Sequence, residues 1–169
     1  MAAGGAIHKV PQDIPSVGRF AVISDPQGAV FLLFKAVGEP PAPLEMMQTG
    51  SVCWNELHTN DAEAAWPFYE RMFGWSKDVA HDMAPMGSNQ TFKTSFMPCG
   101  GIFTNTQSSP HPYWLYYFAV DDIDAGVERV NAHGGSVLSG PQEVSGGAWV
   151  INARDPQEGI FALVGMRKR

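Results

Sequence analysis

Trp54, Glu56 and His58 stand at alternate positions in the stretch SVCWNELHT, residues 51–59. On a strand, alternate side chains leave the same face. A carboxylate and an imidazole placed this way could hydrogen-bond a ligand, exchange protons with it, or offer two donors to a divalent cation. The plainer outcome is an internal ion pair, or a solvated His58 at the strand mouth. A catalytic metal needs three or four convergent donors, which this pair alone does not provide. The other histidines add little. His133 adjoins Gly134-Gly135 and suits a helix end, His111 lies between prolines, and His81 and His8 have no metal-like spacing.

Aromatic residues are the second chemical feature. Trp114, Tyr116, Tyr117 and Phe118 crowd one apolar stretch, and Trp54 lies on another. Large rings with a phenolic hydroxyl suit a flat or hydrophobic small molecule, or simply a packed core. No nucleophile motif is present, and Cys53 and Cys99 form neither a CxxC pair nor a disulfide framework. Gly100-Gly101 and Gly134-Gly135 read as turns, since neither has the companions of a phosphate loop.

These groups need elements to hold them. After the strand 51–59, Asn60 and Glu63 suggest a capped helix start, and Ala65, Phe68, Tyr69, Met72 and Phe73 form an apolar stripe ended by Gly74. Strands are expected near 76–83, 90–97 and 101–105, and NTQSSPHP (105–112) as a loop. The order then restarts: a strand at 113–120, Asp121 as a cap, a helix at 122–133, and Gly134-Gly135. Aligning Asp61 with Asp122 also brings Gly74 onto Gly135. Under that alignment Leu115 and Tyr117 share the face of Trp54; a shift of one residue would select Trp114, Tyr116 and Phe118 instead.

An internal repeat at an offset of 130 residues ties the chain's start to its end. It sets Gly4-Gly5 on Gly134-Gly135, Pro11-Gln12 on Pro141-Gln142, Asp25-Pro26-Gln27 on Asp155-Pro156-Gln157, and Phe31 and Leu33 on Phe161 and Leu163. Each copy reads as a helix end at Gly-Gly, a short strand, then a hairpin: 19–24 with 29–34, and 148–153 with 159–164. Asp followed by Pro favours the turn in both. The fold class is therefore α+β, as βαβββ units. Residues 1–36 are the later part of one unit, 37–50 a Pro-rich linker, and 51–105 and 113–165 two complete units within a domain at 51–169.

The chain has 169 residues, 11 Lys+Arg and 17 Asp+Glu, and a formal charge of −6. Its acidity and the lack of a basic cluster beyond Arg167-Lys168-Arg169 argue against a nucleic-acid partner. No apolar run reaches the ~18–20 residues of a membrane span, and no secretory leader is evident at the start. A cytoplasmic location with reduced thiols is the expectation.

The set Trp54-Asn-Glu-Leu-His-Thr-Asn-Asp61, Phe68-Tyr69, Phe73-Gly74-Trp75, Val120-Asp-Asp-Ile-Asp124, Gly134-Gly135 and both Asp-Pro-Gln hairpins resembles the vicinal oxygen chelate superfamily. That superfamily includes glyoxalases, bleomycin-resistance proteins and extradiol dioxygenases; the two-domain glyoxalase-like or hydroxylase-like members are the nearest likeness. The resemblance implies paired βαβββ modules whose mixed sheet curls into a cup holding a ligand or metal. Residues 1–36 would then be the tail of a module lacking its start, with homodimerisation or strand exchange expected at the unpaired edge. Metal-dependent members place His on first strands and Glu on last strands. Those slots fall here on Trp54, Leu115, Ala162 and, in the partial module, Leu32, while 101–105 has no His, Asp or Glu. The expectation is a metal-free protein without cofactor that binds a small molecule through Trp54, Trp114, Tyr116 and Tyr117. One alternative is an enzyme (lyase, hydroxylase or dioxygenase) using Glu56 and His58 as acid and base or as ligands to a divalent metal. Another is an interaction module assembling through its incomplete first unit.

Overall fold

The computed structural model describes residues 3–39, 45, 47–82, 87–94, 97–105 and 111–168. Parts of the expected linker (40–44 and 46) and of the expected loop (106–110) lie outside the described residues. The elements are β1 (Ala6–Ile14), β2 (Gly18–Ser24), β3 (Val30–Ala36), β4 (Val52–Thr59), α1 (Ala62–Phe73), β5 (Ser76–Asp82), β6 (Gly87–Lys93), β7 (Pro98–Asn105), β8 (Tyr113–Val120), α2 (Ile123–Ala132), β9 (Ser136–Glu143), β10 (Trp149–Arg154) and β11 (Ile160–Gly165). The α+β class with βαβββ order is borne out. The chain divides into two compact units, Met1–Ala42 with Glu56–Trp114, and Pro43–Asn55 with Leu115–Arg169.

In the first unit, β1, β2 and β3 form an antiparallel sheet, and β5, β6, β7 and the second half of β4 follow in that spatial order. β4 and β7 run parallel, with Glu56 opposite Gly101 and His58 opposite Phe103. α1 forms because Ala65, Trp66, Phe68 and Tyr69 fall on one flank and are buried there. Leu57, Phe92 and Ile102 from the sheet and Ala29 from the β2–β3 turn complete that core. Since Leu57 and Thr59 are fully buried, strand alternation sends Glu56 and His58 to the opposite face.

Three local expectations are corrected. The cap of α1 is Asp61 and not Asn60: Asp61 is extended and its carboxylate accepts from Ala64 N–H at 2.9 Å. Likewise Asp122, not Asp121, caps α2, accepting from Asp124 N–H at 2.9 Å. Each carboxylate sits one residue before the first helical turn, where it reaches the unpaired amides. Finally, Gly100-Gly101 lies inside β7 and β6 closes at Lys93, with Thr94 N–H donating to Met97 O; residues 83, 95 and 96 of the expected strands lie outside the described residues.

In the second unit the order is β8, β11, β10, β9, with β11 parallel to β8 and Ala162 opposite Tyr117. α2 packs Ile123 against Ile151, Ala153 and Leu163. The first half of β4 lies alongside β8, with Gly50 N–H donating to Ala119 O and Ala119 N–H to Ser51 O.

The 130-residue repeat is a repeat of structure. Asp25 Oδ1 accepts from Gln27 and Ala29 N–H at 2.9 Å each, and Asp155 Oδ1 from Gln157 and Gly159 N–H at 2.8 Å each. Gly4 and Gly134 share a left-handed backbone (φ +85° and +80°), and each lies beside the proline of its hairpin turn, Pro26 or Pro156.

Candidate functional site

Glu56 and His58 do come together on the face of β4 opposite α1. His58 Nε2 lies 3.6 Å from Glu56 Oε2, and both side chains are nearly buried, at 12% and 13% exposure. Two further residues complete the row. Asn89 of β6 donates from Nδ2 to Glu56 Oε1 at 2.8 Å. Tyr113, the first residue of β8, stacks on the His58 ring at 4.9 Å and 6°, and Phe103 lies tilted against it at 5.2 Å.

Gly101 makes this arrangement possible. It stands on β7 between β6 and β4, and a Cβ there would collide with Asn89 Oδ1. Without one, the Asn89 amide crosses β7 and reaches the carboxylate two strands away. Asn89 Oδ1 is buried without a hydrogen-bond partner among the described residues. Burial, and secondarily the Glu56 carboxylate, push the Tyr113 phenol above its ordinary range. A carboxylate and an imidazole, both nearly buried, beside a half-buried phenol are the parts of an acid–base or hydrogen-bonding site.

Of the other expected site residues, Trp114 falls in the first unit and Trp54, Tyr116 and Tyr117 in the second. Trp114 belongs to the core beneath α1, edge-on to Tyr69 at 5.5 Å and to Trp75 at 6.1 Å. In the second unit Tyr117 is 9% exposed and Tyr116 is 45% exposed. Tyr116 lines an open groove with Phe118, Asp155 and Phe161, and burial raises its phenol as well. Trp54 is half-buried on the first half of β4. Sequence reasoning missed Asn89, Gly101 and Tyr113. For Tyr113 a signal existed: the alignment that turns Leu115 and Tyr117 to the face of Trp54 turns Tyr113 there too.

Among the described residues no group of three or more His, Cys, Asp or Glu converges as a divalent metal ion requires. The slots where the resemblance would place ligands hold Trp54, Leu115 and Ala162, the last two buried within the second unit.

Comparison with known proteins agrees with the architecture. The family described as Glyoxalase/Bleomycin resistance protein/Dioxygenase superfamily matches residues 52–161. "Putative glyoxylase CFP32" of Mycobacterium tuberculosis is 31% identical over 164 residues, covering 95% of this chain and 61% of that protein. "Anthracycline biosynthesis protein DnrV" of Streptomyces peucetius is 31% identical over 172 residues, covering 98% and 59%. The chain thus spans about three fifths of the length of these curated relatives. Methylmalonyl-CoA epimerase from Mycobacterium tuberculosis shares the fold at a TM-score of 0.53 and 13% identity, over 73% of this chain and 95% of the other. With its βαβββ units, its capped helices and this match over most of its length, the chain belongs to the glyoxalase, bleomycin-resistance and dioxygenase superfamily.

Proposed function

We propose that the chain binds a small, flat, largely hydrophobic organic molecule against the face of the first unit that carries Glu56 and His58, without a resident metal. The observation that supports this most is the Asn89–Glu56–His58 row: a carboxylate held at 2.8 Å by an amide that Gly101 lets through, with Tyr113 stacked on the imidazole. Such a row is costly to bury for packing alone, and it gives a ligand fixed donors and acceptors beside aromatic rings. The relative named for anthracycline biosynthesis makes a planar polycyclic aromatic the first ligand class to try.

The test uses a hydroxylated anthraquinone as probe, titrated by fluorescence quenching into the purified chain. Saturable binding is expected, weakened about tenfold or more in Asn89→Ala and Gly101→Ala, since each loosens Glu56. Metal analysis of protein purified without chelator accompanies it. Stoichiometric zinc, nickel, manganese or iron that disappears in Glu56→Ala would overturn the metal-free reading in favour of a lyase, hydroxylase or dioxygenase.

A second reading, self-association of two copies, is favoured by β3. Val30, Leu32 and Phe34 are each half exposed there, and β3 has β2 on one side only among the described strands. Light scattering that gives twice the chain mass, returning to the monomer mass in Leu32→Asp, is the expected result; a monomer at high concentration would exclude it.

A further inference from the structure

The two copies of the repeat carry matching residues at their hairpin ends, but among the described residues only the first copy receives a helix of the α1 type; in the second, Phe161 is partly buried against the α2 core and otherwise borders open space. In the first unit, Asp25, Ala29 and Phe31 receive α1. Tyr69 donates its hydroxyl to Asp25 Oδ2 at 2.9 Å, and Phe31 contacts the rings of Phe68, Tyr69 and Phe73 at 6.3, 6.0 and 5.9 Å. Asp25 is left 2% exposed and Ala29 fully buried. Adding 130 to these numbers gives Asp155, Gly159 and Phe161. In the second unit those three residues, with Tyr116, Phe118 and Leu163, line an open, mostly apolar groove of about 520 Å³.

The hairpin chemistry is the same in both places. Asp155 Oδ1 is taken by its own turn amides, as Asp25 Oδ1 is. The difference lies in the other oxygen: among the described residues nothing donates to Asp155 Oδ2. The groove therefore has an aromatic floor and an outward acceptor at the place where its counterpart holds a tyrosine.

We infer that this groove docks an amphipathic helix of the α1 type, its Tyr hydroxyl donating to Asp155 Oδ2 and its preceding Phe packing on Phe161. The helix is that of a further module of the same superfamily. It is not α1 of a second copy, because Phe68 and Tyr69 are already 3% and 0% exposed within their own unit. The curated relatives extend well beyond the matched region, so they have room for such a module. Recognition resembles other helix-in-groove contacts, with anchors on one flank and a single polar pair setting the register.

The experiment titrates a labelled peptide of residues 60–74, stapled through its exposed positions 63 and 70, into the full chain and reads fluorescence anisotropy. Saturable binding is expected, weakened at least tenfold by Asp155→Asn. The same substitution leaves the Oδ1 acceptor in place, and circular dichroism checks that the hairpin stays folded. A peptide carrying Phe in place of its Tyr should lose a similar factor and be insensitive to Asp155→Asn, because the two changes remove one shared hydrogen bond. Three results would overturn the inference: no saturation at millimolar peptide, binding indifferent to both substitutions, or binding lost in Asp25→Asn but kept in Asp155→Asn. The last would mean that the peptide merely displaces α1.

Discussion

β3 and β11 are copies of one strand in two settings. Each is the second arm of an Asp-Pro hairpin and each pairs antiparallel with the strand before it. β11 also has β8 along its other edge, and Ala162, Leu163 and Val164 are buried in consequence. The counterparts of Ala162 and Val164 are Leu32 and Phe34, which are 54% and 52% exposed. The hairpin is thus a local product of its turn, whereas the burial of its strand depends on a neighbour. The turn forms in both settings because the Asp carboxylate satisfies two backbone amides wherever it stands. Burial differs because a strand edge without a partner leaves its side chains in water.

The sharpest way to break this comparison is to place one charge at matched positions. Ala162→Asp should cost on the order of 3–5 kcal/mol, since an ionised carboxylate would sit unpaired in a dry core. Leu32→Asp should cost less than about 1 kcal/mol in the monomer. Urea denaturation of both variants measures the gap. Equal losses would mean that Leu32 is covered in solution. A smaller contrast is expected at the turns. Asp25→Ala should lose about 2–3 kcal/mol, because it removes the acceptor of two turn amides and of the buried Tyr69 hydroxyl, and Asp155→Ala about 1 kcal/mol. If both lose the same amount, the α1 contact adds nothing to the turn. The smallest effect belongs to Tyr69→Phe, about 1 kcal/mol, which removes the single bond that distinguishes the two carboxylates. Thermal melts of Tyr69→Phe in the Asp25→Asn background should show no further loss attributable to that bond.

What the sequence could reveal follows from the range over which each feature is determined. Asp25-Pro26 and Asp155-Pro156 encode their turns within five residues, so both hairpins are legible. Glu56 and His58 share a face by simple alternation, which also needs only neighbours. β6 is harder: SNQTFK has no strong apolar alternation, and its register is set by pairing with β7, where Asn89 stands opposite Phe103 and Thr91 opposite Gly101. For the same reason Gly100-Gly101 reads as a turn although Gly101 is a strand residue cleared for an amide. Asn89 lies 33 residues from Glu56, and Tyr113 lies 55 from His58. Only the assembled sheet brings them together. The aromatic run at 113–118 is ambiguous in the sequence because period two leaves the choice of face to a single unit of register.

The placement of α1 has a bearing on how this protein could be cut or recombined. Its helix is walled on one flank by Leu57, Phe92 and Ile102 and on another by Ala29 and Phe31 from the opening hairpin. Excising residues 1–48 at the seam suggested by the repeat would therefore strip Phe68 and Tyr69 of the cover that Phe31 gives them. The boundary of the repeat and the boundary of the compact unit do not coincide, and a viable transplant of this segment would have to follow the second.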